Sequence, residues 1–264
     1  MFKREFKINF KSLVIWTVIL LALYILIFAI YPNLITPETK ESLEQMLKSM
    51  PQEMLSSFNM DIVGIETAYG WFKTEGYIFL TIVGGIYAAI LGGTILLKEE
   101  SDKTIGFLYA KPVTRNQIVT SKILCGVINI FIFTAIITIG NWIALANTED
   151  FELKQYLMIS IIPMLLYDML FFIMLFLSTF FKKTKKSMSI AIGIVFLSYF
   201  MQIIGNMGET TEIIKNLSLF EFVSSRYILL NHTIDIKYVW IGLAIISIAI
   251  IGTYYRYQHK EFLE

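Results

Sequence analysis

Few residues in this chain are equipped for chemistry. Glu99 and Glu100 form an adjacent carboxylate pair, Asp168 stands alone within an apolar run, and His232, His259 and Cys125 are the only histidines and cysteine. Paired carboxylates serve general acid–base catalysis, and with histidines they hold catalytic metals. Both histidines lie outside the apolar runs, however, and a single cysteine makes neither an internal disulfide nor a Cys-rich zinc site. No Gly-x-x-x-x-Gly-Lys-Ser/Thr phosphate loop occurs, so ATP hydrolysis is not expected of this chain. No catalytic residue, metal or bound cofactor is expected. Asp168 is the remaining anomaly. A charge at the centre of a membrane helix costs about 2.5–3.5 kcal/mol on insertion scales. It must therefore face protein or water, or be protonated. A place on a polar pathway and a structural bond to a neighbouring Thr, Ser or Asn both fit.

The elements that must position these groups are apolar helices. Of 264 residues 56% are hydrophobic, only 16% are charged, and the mean hydropathy is +0.66. A soluble domain carries about 25% charged residues. The net charge of +1 gives no basic field for a nucleic-acid partner. Six apolar runs, 12–31, 77–97, 123–145, 156–180, 188–204 and 238–255, each approach the roughly 20 residues that cross a bilayer as a helix. Backbone groups in lipid must be bonded internally, and the ten-residue alternation of a barrel is missing. The expected fold is an all-α polytopic membrane protein with six transmembrane helices in a single domain spanning 1–264.

Basic residues orient it. Fifteen of the 22 (Lys3, Arg4, Lys7, Lys11, Lys98, Lys103, Lys111, Arg115, Lys122, Lys182, Lys183, Lys185, Lys186, Arg256 and Lys260) fall on one side of the six runs. The other seven share the opposite side with an acidic first loop. Both termini and segment 98–122 are therefore expected to be cytoplasmic, with 32–76 and 205–237 as external loops. Phe2, Phe6 and Phe10 recur every four residues among Lys3, Arg4, Lys7 and Lys11, which predicts an amphipathic interface helix over 1–11. In the first external loop, Thr36-Pro37-Glu38 reads as a helix start and Pro51 as a restart toward Met54, Leu55 and Phe58. The run from Leu217 to Leu230 is too apolar for a free loop and is expected either to dip into the outer leaflet or to pack on neighbouring helices. In the second span Gly84, Ala88 and Gly92, with Gly85, Ala89 and Gly93 beside them, allow close helix approach, within the subunit or across a dimer interface.

The most informative stretch is Lys98 to Lys122. The second span is expected to continue as a helix, with Ile105, Leu108 and Tyr109 on one face, until Pro112 stops it. Thr114 and Gln117 then form a Thr-x-x-Gln capping box that opens a new helix toward the third span. Arg115 is displayed at the turn between them. Glu99, Glu100, Thr104, Lys111, Pro112, Val113, Thr114, Arg115 and Lys122, in a six-span chain with an amphipathic start, resemble the permease subunits of type-2 ABC exporters, with Leu108 and Gln117 counted beside them in the coupling segment. The resemblance covers nearly the whole chain, although the first external loop is longer than in the plainest members. It implies a second permease copy, a separate cytoplasmic ABC ATPase that holds ATP and Mg, and a role in ATPase coupling for the residues of segment 98–122.

Two other classes fit less well. The Glu99-Glu100 pair resembles the glutamate pair of intramembrane prenyl-protein proteases, but these need an arginine soon after the pair and histidines within the membrane. Here position 104 is Thr, and neither histidine is in a span. An ATP-independent transporter or channel would show more intramembrane charge and broken helices. Apolar, aromatic spans suit an amphipathic peptide or hydrophobic drug as cargo, and the Ile-, Lys- and Phe-rich composition points to a bacterial plasma membrane. The topology has a direct test. A cysteine at Glu53 should react with an impermeant thiol reagent outside intact cells and one at Lys185 should not; the reverse pattern refutes the orientation.

Overall fold

The fold is described from a computed structural model and comprises residues 1–34, 36–51, 55, 67–106, 112–148, 150–207 and 211–261. The described residues form helices and no strand. In chain order these are α1 (Phe2–Leu34), α2 (Pro37–Ser49), α3 (Ala68–Ile95), α4 (Lys98–Ser101), α5 (Arg115–Leu145), α6 (Leu153–Ser178), α7 (Thr184–Gly205), α8 (Glu212–Leu217), α9 (Ser225–Asn231) and α10 (Ile236–Gln258). Six of them, α1, α3, α5, α6, α7 and α10, are long and apolar enough to cross a membrane.

The helices extend past the apolar runs wherever local chemistry carries them on. The basic start and the first span are one helix, because neither Pro nor Gly separates Phe2 from Tyr31. Phe2 and Phe6 stack at 6.1 Å and pack on the core, whereas Phe10 is half exposed. The second span starts nine residues before Tyr77, so 68–76, expected in the external loop, belong to α3. Thr67 caps it by accepting from Gly70 N at 2.9 Å. A π-turn over Phe72–Gly76 follows, and Tyr24 donates to the Gly76 carbonyl at 2.7 Å. Lys73 and Glu75 interrupt the hydropathy there, which hides the turn from a count of apolar residues. In α6, Pro163 opens the second half of the helix after Ile162.

The core forms where α3 meets α6 and α7, α1 meets α5, and α6 meets α10. Small residues make the central contact possible. A Cβ on Gly84 would lie 2.4 Å from the Tyr167 ring, and one on Gly92 only 2.1 Å from the Phe171 carbonyl oxygen. Tyr167 in turn donates to the Leu80 carbonyl at 2.8 Å, which closes a polar bond inside the contact. Gly84, Gly85, Ala88, Ala89, Gly92 and Gly93 are all buried. Of the two uses open to this stripe, the structure shows packing within the chain. No face made of these six is left uncovered for a second copy.

At the opposite end from the termini, the Thr36 capping box opens α2 with Pro37 at its first position, as the sequence predicts. Of the expected restart after Pro51, Met54 and Phe58 lie outside the described residues. Of the two fates open to the apolar stretch before α10, its middle packs on neighbouring helices, while Leu217, Tyr227 and Leu230 are exposed. Ser218 donates to the Ser198 carbonyl of α7, Ser198 accepts from Leu219 N, both at 2.7 Å, and Phe220 and Val223 are buried. Tyr77 donates to the Val223 carbonyl, and Glu221 pairs with Lys215 at 3.2 Å.

Overpacking a close helix crossing costs about 1–3 kcal/mol. Gly92→Ala is therefore expected to lower the unfolding temperature in detergent measurably. Gly193→Ala, which meets nothing within 4 Å, should leave it unchanged.

Candidate functional site

The charged residues of segment 98–122 converge with both termini at one end of the bundle. α3 ends at Ile95, and Leu96 and Leu97 lead into the single turn of α4. That turn closes with Lys103 in the left-handed region at φ 55°. Thr104 N donates to Glu99 O at 2.8 Å and Lys103 N to Glu100 O at 3.2 Å. This is the double bond pattern that ends a helix and reverses the chain. The expected unbroken continuation of the second span is thus interrupted twice, and the reversal turns the glutamates inward while Lys98 and Lys103 stay exposed.

Glu99 reaches Lys122, whose ammonium it meets at 2.8 Å; Glu5 of α1 meets the same ammonium at 3.2 Å, and the Ile95 carbonyl also accepts from it. Lys122 is 0% exposed, Glu5 2% and Glu99 3%. One buried cation therefore ties α1, the end of α3, α4 and α5 together. The second Glu5 oxygen, Oε1, is buried without a bonding partner. Glu100 pairs with Lys260 at 2.6 Å, and Lys260 also donates to the Phe181 carbonyl at 3.0 Å. This draws the residues after α10 and the α6–α7 connection onto α4. Ser101 and Thr184 add a hydroxyl contact at 3.1 Å.

Thr114 opens α5 as the sequence predicts. Its hydroxyl accepts from Gln117 N at 3.2 Å, and its own N–H donates to Gln117 Oε1 at 3.0 Å. Arg115, the first residue of α5, aims its guanidinium at the last turn of α10. It donates to the carbonyls of Tyr257, Gln258 and Lys260 at 3.2, 2.6 and 3.0 Å. Those of Tyr257 and Gln258 are carbonyls that a helix terminus leaves without internal partners, and a cation there also complements the helix dipole. Gln258 donates to Asn116 at 2.7 Å, and the Thr120 and Tyr254 hydroxyls meet at 2.6 Å.

A family model described as ABC-2 family transporter protein matches residues 1–262, which takes in the whole of this charged end. The chain belongs to the ABC-2 transporter family. No curated protein and no solved structure matches it. The permease is accordingly a multi-pass membrane component of a transport system, of a family that is not itself the ATPase and normally works with one.

Within the permease, the residues expected to act in coupling separate into two groups. Pro112, Thr114 and Gln117 are exposed, and Val113 is partly buried against the core. Glu99, Glu100 and Arg115 are not offered outward: two are held in ion pairs and the third is turned onto α10. Arg115 at an open turn is therefore corrected to Arg115 as an internal clamp. Thr104 is exposed, with its hydroxyl 3.4 Å from the Glu99 carbonyl. Leu108 and Lys111 lie outside the described residues. Two participants, Glu5 and Lys260, were not singled out by type and spacing. Glu5 did leave a signal, as the lone acid among Lys3, Arg4, Lys7 and Lys11. Asp168 remains apart in α6. Its Oδ1 is buried, and among the described residues no Thr, Ser or Asn bonds to that atom.

Removing one partner of a buried ion pair costs about 3–5 kcal/mol, because the other charge is stranded. Lys122→Met leaves both Glu5 and Glu99 stranded. It should lower the yield of folded permease and its unfolding temperature sharply. Adding Glu5→Gln and Glu99→Gln to Lys122→Met should recover most of the loss, a coupling read by a mutant cycle.

Proposed function

We propose that the permease is the membrane subunit of an ATP-driven bacterial exporter, docking a separate cytoplasmic ABC ATPase and working beside a second permease copy. On this reading ATP and Mg belong to the partner. Closure of the ATPase moves the turn Pro112–Gln117, and the spans change access to a central pathway. The observation that carries the reading is the capped turn mounted on the 31-residue helix α5, which Lys122 bolts to α1 and to the end of α3. A capped turn on a stiff helix delivers a push that a flexible loop would absorb. The excess of basic residues at this end supports its cytoplasmic side, and with it a plasma-membrane location. The apolar and aromatic spans support an amphipathic peptide or hydrophobic drug as cargo, moved outward.

The experiment is reconstitution in nanodiscs with the cognate ATPase. Vanadate-sensitive hydrolysis should require that subunit. Thr114→Ala removes a cap worth about 1 kcal/mol. Thr114→Ala and Pro112→Ala should both retain the ATPase but lose the stimulation of hydrolysis by cargo. Wild-type coupling in both variants refutes the turn as the coupling element. Transport without any ATPase refutes the exporter reading.

A further inference from the structure

The coupling turn is not a separate projection. Arg115 holds it against the carbonyls of Tyr257, Gln258 and Lys260, and Asn116 holds Gln258. Segment 257–261, which follows the sixth span, therefore moves with the turn as one body. On its outer side Pro112, Thr114, Asn116 and Gln117 are exposed beside Gln258 and His259. His259 is held in place there by its Nδ1 contact with the Tyr255 carbonyl at 2.8 Å and by a tilted ring contact with Tyr255, centroids 4.7 Å apart. Because Lys260 donates to the Phe181 carbonyl, the loop carrying Lys182, Lys183, Lys185 and Lys186 adjoins the same body.

The charge of this surface follows from which charges are paired inside and which stay exposed. Glu5, Glu99 and Glu100 all pair with buried or nearly buried lysines. The four loop lysines, Lys98 and Lys103 are exposed, against exposed Asp102 and Glu261. The internal pairs bury three carboxylates with two lysines, Lys122 and Lys260, and the exposed charge named here, six lysines against Asp102 and Glu261, leaves this end net basic.

We propose that this composite surface, rather than the turn alone, is where the partner docks, and that the partner presents an acidic groove to it. The inference rests on the exporter reading above, in which the partner is the ABC ATPase. Arg115 acts here as a positioning residue: it places segment 257–261 and makes no contact with the partner itself. His259 lies in the interface. Complementary charge across such a rim speeds encounter and makes binding salt-dependent.

The test is titration of the full-length permease in nanodiscs with the separately purified cognate ATPase, at low and high salt. His259→Glu should weaken binding by about tenfold and His259→Lys should tighten it, both effects shrinking at high salt. Neither variant should change the unfolding temperature, since His259 is exposed. Arg115→Met removes the Nη1 that donates to all three carbonyls. It should weaken binding at both salt concentrations. Equal affinities for wild type, His259→Glu and His259→Lys would overturn the composite surface while leaving the exporter reading intact. So would variant effects that track the anionic-lipid content of the nanodisc without changing ATPase affinity. Failure of the wild-type permease to bind the ATPase would overturn both.

Discussion

A lysine ammonium with no exposed surface sits between two glutamates from opposite parts of the chain, and the charged end of the bundle is organised around it. Lys122 belongs to α5, Glu5 to α1 and Glu99 to α4. Desolvating three charges is expensive, and the cost is offset only if the geometry persists. That demand explains several local features together. α3 must stop at Ile95 so that its last carbonyl can accept from Lys122. α4 must reverse at Lys103, in a left-handed conformation that a lysine adopts less readily than glycine, so that Glu99 points inward. α1 must run unbroken to its first residues so that Glu5 reaches the same point.

The other half of the architecture depends on close approach. In lipid, apolar side chains gain little by leaving one apolar surface for another, so helices associate through packing and buried hydrogen bonds. The glycines of α3 let the Tyr167 and Phe171 segments of α6 come almost to backbone contact, and Tyr167 then bonds to the Leu80 carbonyl. α3 becomes the centre of the bundle and leads directly into the buried ion pairs. The turn before α5 is therefore joined through Lys122 to the most tightly packed helices.

For a transport subunit this arrangement separates two tasks. The inward-facing acids and Arg115 bind the permease's own elements into one body. Pro112, Thr114, Asn116, Gln117 and His259 stay outside, where a partner can reach them. The ion pairs take three carboxylates and two lysines out of the surface, and the exposed lysines of α4 and of the α6–α7 connection set the sign of the face that remains.

The sequence alone determined what depends on neighbours a few residues away. Six spans follow from apolar runs of bilayer length. The Thr114–Gln117 box follows from residue types three positions apart, and the Thr36 cap from the Pro37 and Glu38 beside it, whereas apolar character alone left open whether the Leu217–Leu230 stretch met lipid or helices. Charges interrupting a run hid the start of α3, because hydropathy does not register a π-turn secured by a distant tyrosine. Tertiary structure alone decided what the charged groups do. Glu5 and Lys122 are 117 residues apart in sequence, and Arg115 and Tyr257 are 142 apart. Residue type gives no means of knowing that Glu99, Glu100 and Arg115 turn inward rather than toward a partner. An exposed charge and a buried one look alike in a sequence, and only the three-dimensional positions of the helices supply the opposite charge that makes burial tolerable.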